Sequence, residues 1–215
     1  MYYIDFDNTL YETGRLTKDV LWALAEAVVN EKPSLARDKI FKDIRDSFNS
    51  TVDNFFDLAQ KVHVKYDVSY APLHAVIMKA LLLNGKNYVF PDALEFLKRL
   101  KDQSEKSCIL TYVAQPKNLT QQALKLAGSG VLDLVTEYHS TTRYKFEIGI
   151  DYKKGIFIDD SPRDLEGFYA SGARNLIRII KPNNEKRTTK ELNLPVTIPT
   201  YTSFDDVPII GKSKD

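Results

Sequence analysis

The sequence predicts an α/β fold, a Rossmann-like parallel sheet core with an inserted α-helical cap. Three observations carry that expectation. Short apolar, strand-like runs alternate with amphipathic helical stretches from residue 91 onward. A separate strand of the same texture, YYIDF, stands at residues 2–6. Between them, residues 14–88 show helical periodicity alone. The expected division is residues 1–13 plus 89–215 as the α/β core and residues 14–88 as a helical cap, and 215 residues suffice for both.

Each element follows from local pattern. After YYIDF comes a turn at DNT, where Asn8 suits a positive φ. TKDVLWALAEAVVNE carries an apolar face through Val20, Leu21, Leu24 and Val28, with Thr17 as the expected N-cap. SLARDKIFKDIRDSF places Leu35, Ile40, Phe41, Ile44 and Phe48 at helical spacing behind Ser34 as the cap. TVDNFFDLAQKV repeats the pattern with Val52, Phe55, Phe56, Ala59 and Val62. APLHAVIMKALLLNG has Pro72 near its start and Gly85 just past its end, the usual asymmetry of a helix. PDALEFLKRLKDQ is a helix, SCILTYV a strand, and KNLTQQALKLAG a helix expected to stop at Gly128. VLDLVTEY and GIFIDD are strands, PRDLEGFYASG a helix, and ARNLIRII a strand. The Pro-containing tail after Lys181 is expected to wrap the surface, adding a short strand near VTI at 196–198.

Composition narrows the function classes. A formal net charge of +1 gives no field that would favour nucleic acid or an anionic membrane. No apolar run approaches the roughly 20 residues needed to span a bilayer, and the N-terminus shows no secretory pattern. The single cysteine, Cys108, allows no internal disulfide and suits a reducing compartment, so a cytoplasmic protein is expected. Cys108 is expected to be an inert core thiol, and His63, His74 and His139 show no metal-ligand spacing.

The carboxyl ends of the expected strands gather the chemistry, as open α/β sheets require. The first strand delivers Asp5 and Asp7, and SCILTYV delivers Thr111. GIFIDD delivers Asp159 and Asp160, with Asp164 four residues later, and Lys145, Lys153 and Lys154 lie just upstream. Carboxylates this close repel one another and lose hydration, so a hard divalent cation should offset them. A lysine and a threonine hydroxyl suit phosphate oxygens, and one aspartate can attack phosphorus while another moves protons.

These residues resemble the haloacid dehalogenase-like hydrolases, phosphatase branch, with a C1-type cap. YYIDFDNTLY resembles the first motif (Asp5, Asp7, Thr9), ILTYV the second (Thr111), and IFIDDSPRD the fourth (Asp159, Asp160, Asp164). Lys145 is taken as the lysine of the third motif, with Lys154 as the alternative. The resemblance implies that Asp5 is the nucleophile and forms an aspartyl phosphate, with Asp7 the general acid and base. It implies Mg²⁺ held by Asp5, the Asp7 backbone carbonyl and Asp160, with Asp159 or Asp164 in support, and Thr111 and Lys145 on the phosphoryl group. The expected function is Mg²⁺-dependent hydrolysis of a small phosphate ester, of nucleotide or sugar phosphate class. A phosphomutase shares every core residue. A receiver-like signalling module and a non-catalytic phosphoryl-binding protein are the other readings.

Overall fold

The computed structural model describes residues 1–48, 54–182 and 191–210. Val52 and the basic stretch 183–190 lie outside the described residues. In chain order the elements are Tyr2–Ile4 (β1), Thr13–Glu31 (α1), Arg37–Ser47 (α2), Phe55–Tyr66 (α3) and Tyr70–Met78 (α4). There follow Pro91–Asp102 (α5), Ser107–Tyr112 (β2), Leu119–Ser129 (α6) and Glu137–Thr141 (β3). Ile156–Asp159 (β4), Pro162–Ala170 (α7), Asn175–Ile179 (β5) and Thr200–Tyr201 (β6) complete the chain. Contacts separate these into two compact units, one of Met1–Glu12, Val89–Tyr112 and Gly130–Asp215, the other of Thr13–Tyr88 and Val113–Ser129. The segment Val113–Ser129, which the sequence placed with the α/β core, thus groups with the helices.

The first unit is an α/β fold built on a parallel sheet of order β3-β2-β1-β4-β5-β6. Strands β1 and β4 are central in this order, and their Tyr2, Ile4, Ile156, Phe157 and Ile158 are buried, as parallel strands require, with Tyr3 half-buried. Phe157 of β4 and Phe168 of α7 meet at 4.5 Å between ring centres, within a cluster completed by Leu110, Leu165, Ala173 and Leu176. Central strands bring Asp5 and Asp159 together: Ile4 pairs with Ile158, and the Asp5 amide donates to the Ile158 carbonyl at 2.9 Å.

Two expectations for this unit change. Residues 131–138 are not one strand, because Gly130 takes φ 73° and Val131–Leu134 follow as a 3-10 turn. The strand begins at Glu137, and its sequence EYHST lacks an apolar alternation because it forms an exposed edge. The tail does not merely wrap the surface: Phe204 is fully buried, 4.9 Å from the Phe96 ring, and the added strand lies at Thr200–Tyr201 rather than 196–198. Asp205 and Asp206, in the same turn as Phe204, are exposed.

Asp92 fastens this tail. Its carboxylate accepts from the buried Lys181 ammonium, from the Ser203 hydroxyl at 2.9 Å and from the Phe204 amide at 2.7 Å. Burial works to raise the Asp92 pKa, but these donors prevail and hold it below the ordinary carboxylate value. Its contribution to stability is therefore present above the unfolded-state pKa and lost as pH falls through the lower folded-state value. Asp92→Ala is expected to destabilise the protein by about 3 kcal/mol, by leaving a buried ammonium unpaired. Urea denaturation at neutral pH measures this.

The second unit is helical. Leu16, Val20, Leu21, Leu24 and Val28 form the buried face of α1. Trp22 stacks on Phe41 of α2 at 3.9 Å, and the Arg37 guanidinium lies over the same indole. Helix α1 starts four residues before the expected cap, and Thr17 instead bonds back to the Thr13 carbonyl at 2.9 Å. Ser34 does not cap α2, whose N-cap is Ala36 without a side-chain bond. Helix α3 has the capping box that α2 lacks: Asn54 accepts from the Asp57 amide at 2.8 Å while Asp57 accepts from the Asn54 amide.

Gly128 does not end α6, which runs on to Ser129. It is needed because a Cβ there would lie 1.8 Å from the Leu81 carbonyl oxygen. The backbone at Leu81 belongs to a π-helical turn, Lys79–Leu83, that extends α4 toward Gly85. Gly128→Ala is expected to destabilise the chain by about 3 kcal/mol or to shift this turn, since backbone cannot yield as a flexible side chain can. Thermal denaturation and hydrogen exchange at residues 79–85 check this.

Candidate functional site

The loop after β1 folds on itself and fixes Asp5. Asn8 takes φ 66°, as the DNT turn led one to expect, and Leu10 and Tyr11 donate their amides to the Phe6 carbonyl. Thr9 is fully buried and its hydroxyl donates to Asp5 Oδ2 at 2.8 Å. The other oxygen, Oδ1, accepts from the Lys145 ammonium at 2.5 Å. Lys145 lies on a 3-10 turn, Lys145–Glu147, and also reaches Asp159 Oδ2 at 2.7 Å and Asp164 Oδ2 at 3.8 Å. The remaining Asp159 oxygen accepts from the Ser161 amide at 2.8 Å.

The structure thus brings Asp5, Lys145, Asp159, Asp160 and Asp164 together, each at most 6% exposed. Asp7 is half-buried, and Thr111 at the end of β2 donates to it at 3.4 Å. Lys154 stands apart, its side chain 87% exposed and paired with Asp151. Sequence reasoning gave no role to Thr9, Ser161 or Arg163. Thr9 was within reach, since it closes the first motif after Asp5 and Asp7, but nothing marks Arg163. Its guanidinium lies over the Tyr112 and Tyr144 rings at 5.2 and 4.9 Å and pairs with Asp164 at 3.2 Å.

Electrostatically the site is under tension. Burial pushes the pKa of Asp5 above its ordinary value; Lys145 opposes the shift and the Asp7 charge adds to it. Asp159 is pushed well up, first by burial and then by the charges of Asp5, Asp164 and Asp160, against the pull of Lys145. Burial also acts against the Lys145 ammonium, but Asp159, Asp5 and Asp164 overcome it and hold its pKa above that of an ordinary lysine. Arg178, buried on β5, is pulled down by burial and supported by Asp160.

The donor set fits a hard divalent cation. Asp5, Asp159 and Asp160 each offer a carboxylate oxygen within 4.8 Å of the others. Asp5, Asp7, Asp159, Asp160 and Asp164 against Lys145, Arg163 and Arg178 leave two negative charges in excess when all are ionised. A dication would cancel that excess. Asp164, tied to Arg163, and the Asp7 carboxylate lie outside this three-oxygen group.

Comparison with known proteins bears on the fold. No family model matches the sequence, and no curated protein matches it. Solved structures do. A protein of Burkholderia xenovorans LB400 assigned as a haloacid dehalogenase-like hydrolase matches with a TM-score of 0.65 and 16% identity, over 95% of this chain and 93% of that one. A HAD phosphatase from Thermococcus onnurineus matches with a TM-score of 0.58 and 17% identity, over 95% and 94%. A HAD family hydrolase from Deinococcus radiodurans R1, solved with bound phosphate and sodium, matches with a TM-score of 0.52 and 17% identity, over 95% and 91%. At these identities the likeness is one of fold.

Proposed function

We propose, from the fold that the chain shares with haloacid dehalogenase-like hydrolases and from the chemistry of its acidic centre, that it is a Mg²⁺-dependent phosphomonoesterase. The substrate is a small phosphorylated metabolite of the nucleotide or sugar phosphate class. The observation that carries the reading is the setting of Asp5: a buried carboxylate oriented by Thr9 and Lys145, beside two further buried carboxylates. Such a group is positioned as a nucleophile rather than as a surface charge.

Asp5, Asp159 and Asp160 would hold the cation. When bound, Mg²⁺ neutralises carboxylate charge and polarises a phosphoryl oxygen. Asp5 attacks phosphorus, the ester P–O bond breaks, and the leaving oxygen takes a proton from Asp7. Asp7 then accepts a proton from the water that attacks the aspartyl phosphate, releasing phosphate and restoring Asp5. Thr111 holds Asp7 for both transfers. The Lys145 ammonium favours the ionised form of Asp5 against burial and adds positive charge for phosphoryl oxygens. In this reading the helical segment 14–88, which follows the Asp5–Asp7 loop in the chain, is a cap that limits the substrate to small molecules.

The test is phosphate release from nucleotides, sugar phosphates and p-nitrophenyl phosphate, with Mg²⁺ and with chelator. Turnover that requires the cation is expected. Turnover indifferent to chelator, or none with any substrate, would contradict the reading.

A further inference from the structure

The only cysteine of the chain has neighbours that the sequence did not reveal. Strands β2 and β3 pair Cys108 with Glu137 and Leu110 with His139, so Cys108, Glu137 and His139 share one face of the sheet. One ligand atom from each lies within 4.8 Å of the other two. His139 Nε2 is 4.0 Å from Glu137 Oε2, and these two side chains are about half exposed while Cys108 is fully buried. Three donors of sulfur, nitrogen and oxygen type therefore converge on the outer edge of the sheet.

We infer that Cys108, Glu137 and His139 form a second metal site, for a cation of the zinc class, separate from the acidic centre. The donor types decide the class. Thiolate and imidazole select zinc-like ions, whereas Mg²⁺ takes oxygen ligands alone. A tetrahedral zinc centre spaces its donors by roughly 3.3–3.6 Å, given its usual bond lengths. Rotation of the half-exposed Glu137 and His139 side chains closes the remaining gap, and solvent supplies the fourth ligand. The site is also distant from the acidic centre along the sheet: Cys108 precedes Thr111 by three residues, roughly 10 Å of strand.

Binding is a proton exchange with no change of oxidation state. The Sγ–H bond breaks, the proton leaves to solvent, and the thiolate binds the cation. Without a cation, burial and the Glu137 charge push the thiol up to about 12, so it stays protonated and unreactive. The structural effect is a clip. Strand β3 ends the sheet, and a metal joining it to β2 ties down an edge that has no further neighbour among the described residues.

Because Cys108 is the sole cysteine, thiolate-to-metal charge transfer can arise nowhere else. The test is titration of the whole protein with Co²⁺ in excess Mg²⁺, followed in the near-ultraviolet, with Zn²⁺ as competitor. A thiolate–Co²⁺ band is expected. It should be displaced by Zn²⁺, be absent in Cys108→Ser, and require about ten-fold or more higher Co²⁺ in His139→Gln and in Glu137→Gln. The latter two replace exposed side chains and leave the core intact. No band in the wild type would overturn the inference, as would an unchanged affinity in either exposed-residue variant.

Discussion

Asp5→Asn is expected to abolish Mg²⁺-dependent phosphate release, by on the order of 10⁶-fold, as deletion of a covalent nucleophile does. It should do so without unfolding the protein. Burial holds the folded-state pKa of Asp5 above its unfolded value, so ionisation of this group lowers stability as pH rises between the two. A neutral amide removes that penalty, while Lys145 keeps Asp159 as its partner at 2.7 Å. In the absence of divalent cation, Asp5→Asn should therefore be as stable as the wild type at neutral pH, or more so. Phosphate release and urea denaturation on the same preparation check both halves. Loss of activity together with loss of structure would show a structural carboxylate, and full activity would show that the nucleophile is elsewhere.

Lys145→Met is expected to have the opposite effect on stability. The ammonium touches Asp5 and Asp159 and lies 3.8 Å from Asp164, with its side chain 4% exposed. Removing it leaves three buried carboxylates facing one another, at a cost of about 3–5 kcal/mol. Mg²⁺ should restore part of this loss, because a cation bound to Asp5, Asp159 and Asp160 replaces some of the missing charge and binds the folded state alone. Activity should fall by about 10²–10³-fold even where the protein is folded, as for loss of one preorganised electrostatic donor. Denaturation with and without Mg²⁺ separates the two contributions. A variant as stable as the wild type in chelator would contradict the electrostatic account of the site.

How much of this could be read from the sequence depended on whether a residue's neighbours were also its chain neighbours. The buried strands β1, β2 and β4 were legible because parallel strands covered on both faces must be apolar runs, and the acids follow them directly. Strand β3 was placed six residues early because it is an edge strand: exposed Glu137, Tyr138 and His139 carry no apolar alternation, while the buried Val131 mimics one. Gly128 was misread for a related reason, since a helix stop and a close backbone approach both select glycine, and only the approach of Leu81 distinguishes them. The tail shows the same limit, because burial of Phe204 depends on Asp92 and Lys181, which lie far away in the chain.

The candidate site was legible for the acids, because carboxylates gathered at the ends of buried strands are costly unless a cation or a cationic side chain offsets them. The choice of Lys145 over Lys154 for contact with Asp5 was a matter of tertiary structure, since both stand upstream of β4 in similar sequence. Arg163 and its two tyrosines carried no signal. Each adjoins a site residue by one position, but their stacking is visible only in three dimensions. Cys108 and His139 were legible separately, one as a core thiol and one as a lone histidine, and become a pair of ligands only through the register of β2 and β3.

The central claim is that Asp5 carries the phosphoryl group. It is tested most directly by quenching the protein during turnover and reducing it with borohydride, which converts an acyl phosphate to the alcohol. Peptide mass spectrometry should then find homoserine at position 5 and unmodified aspartate at positions 7, 159, 160 and 164. Turnover with no reduction at position 5, or with reduction at another of these carboxylates, would contradict the account.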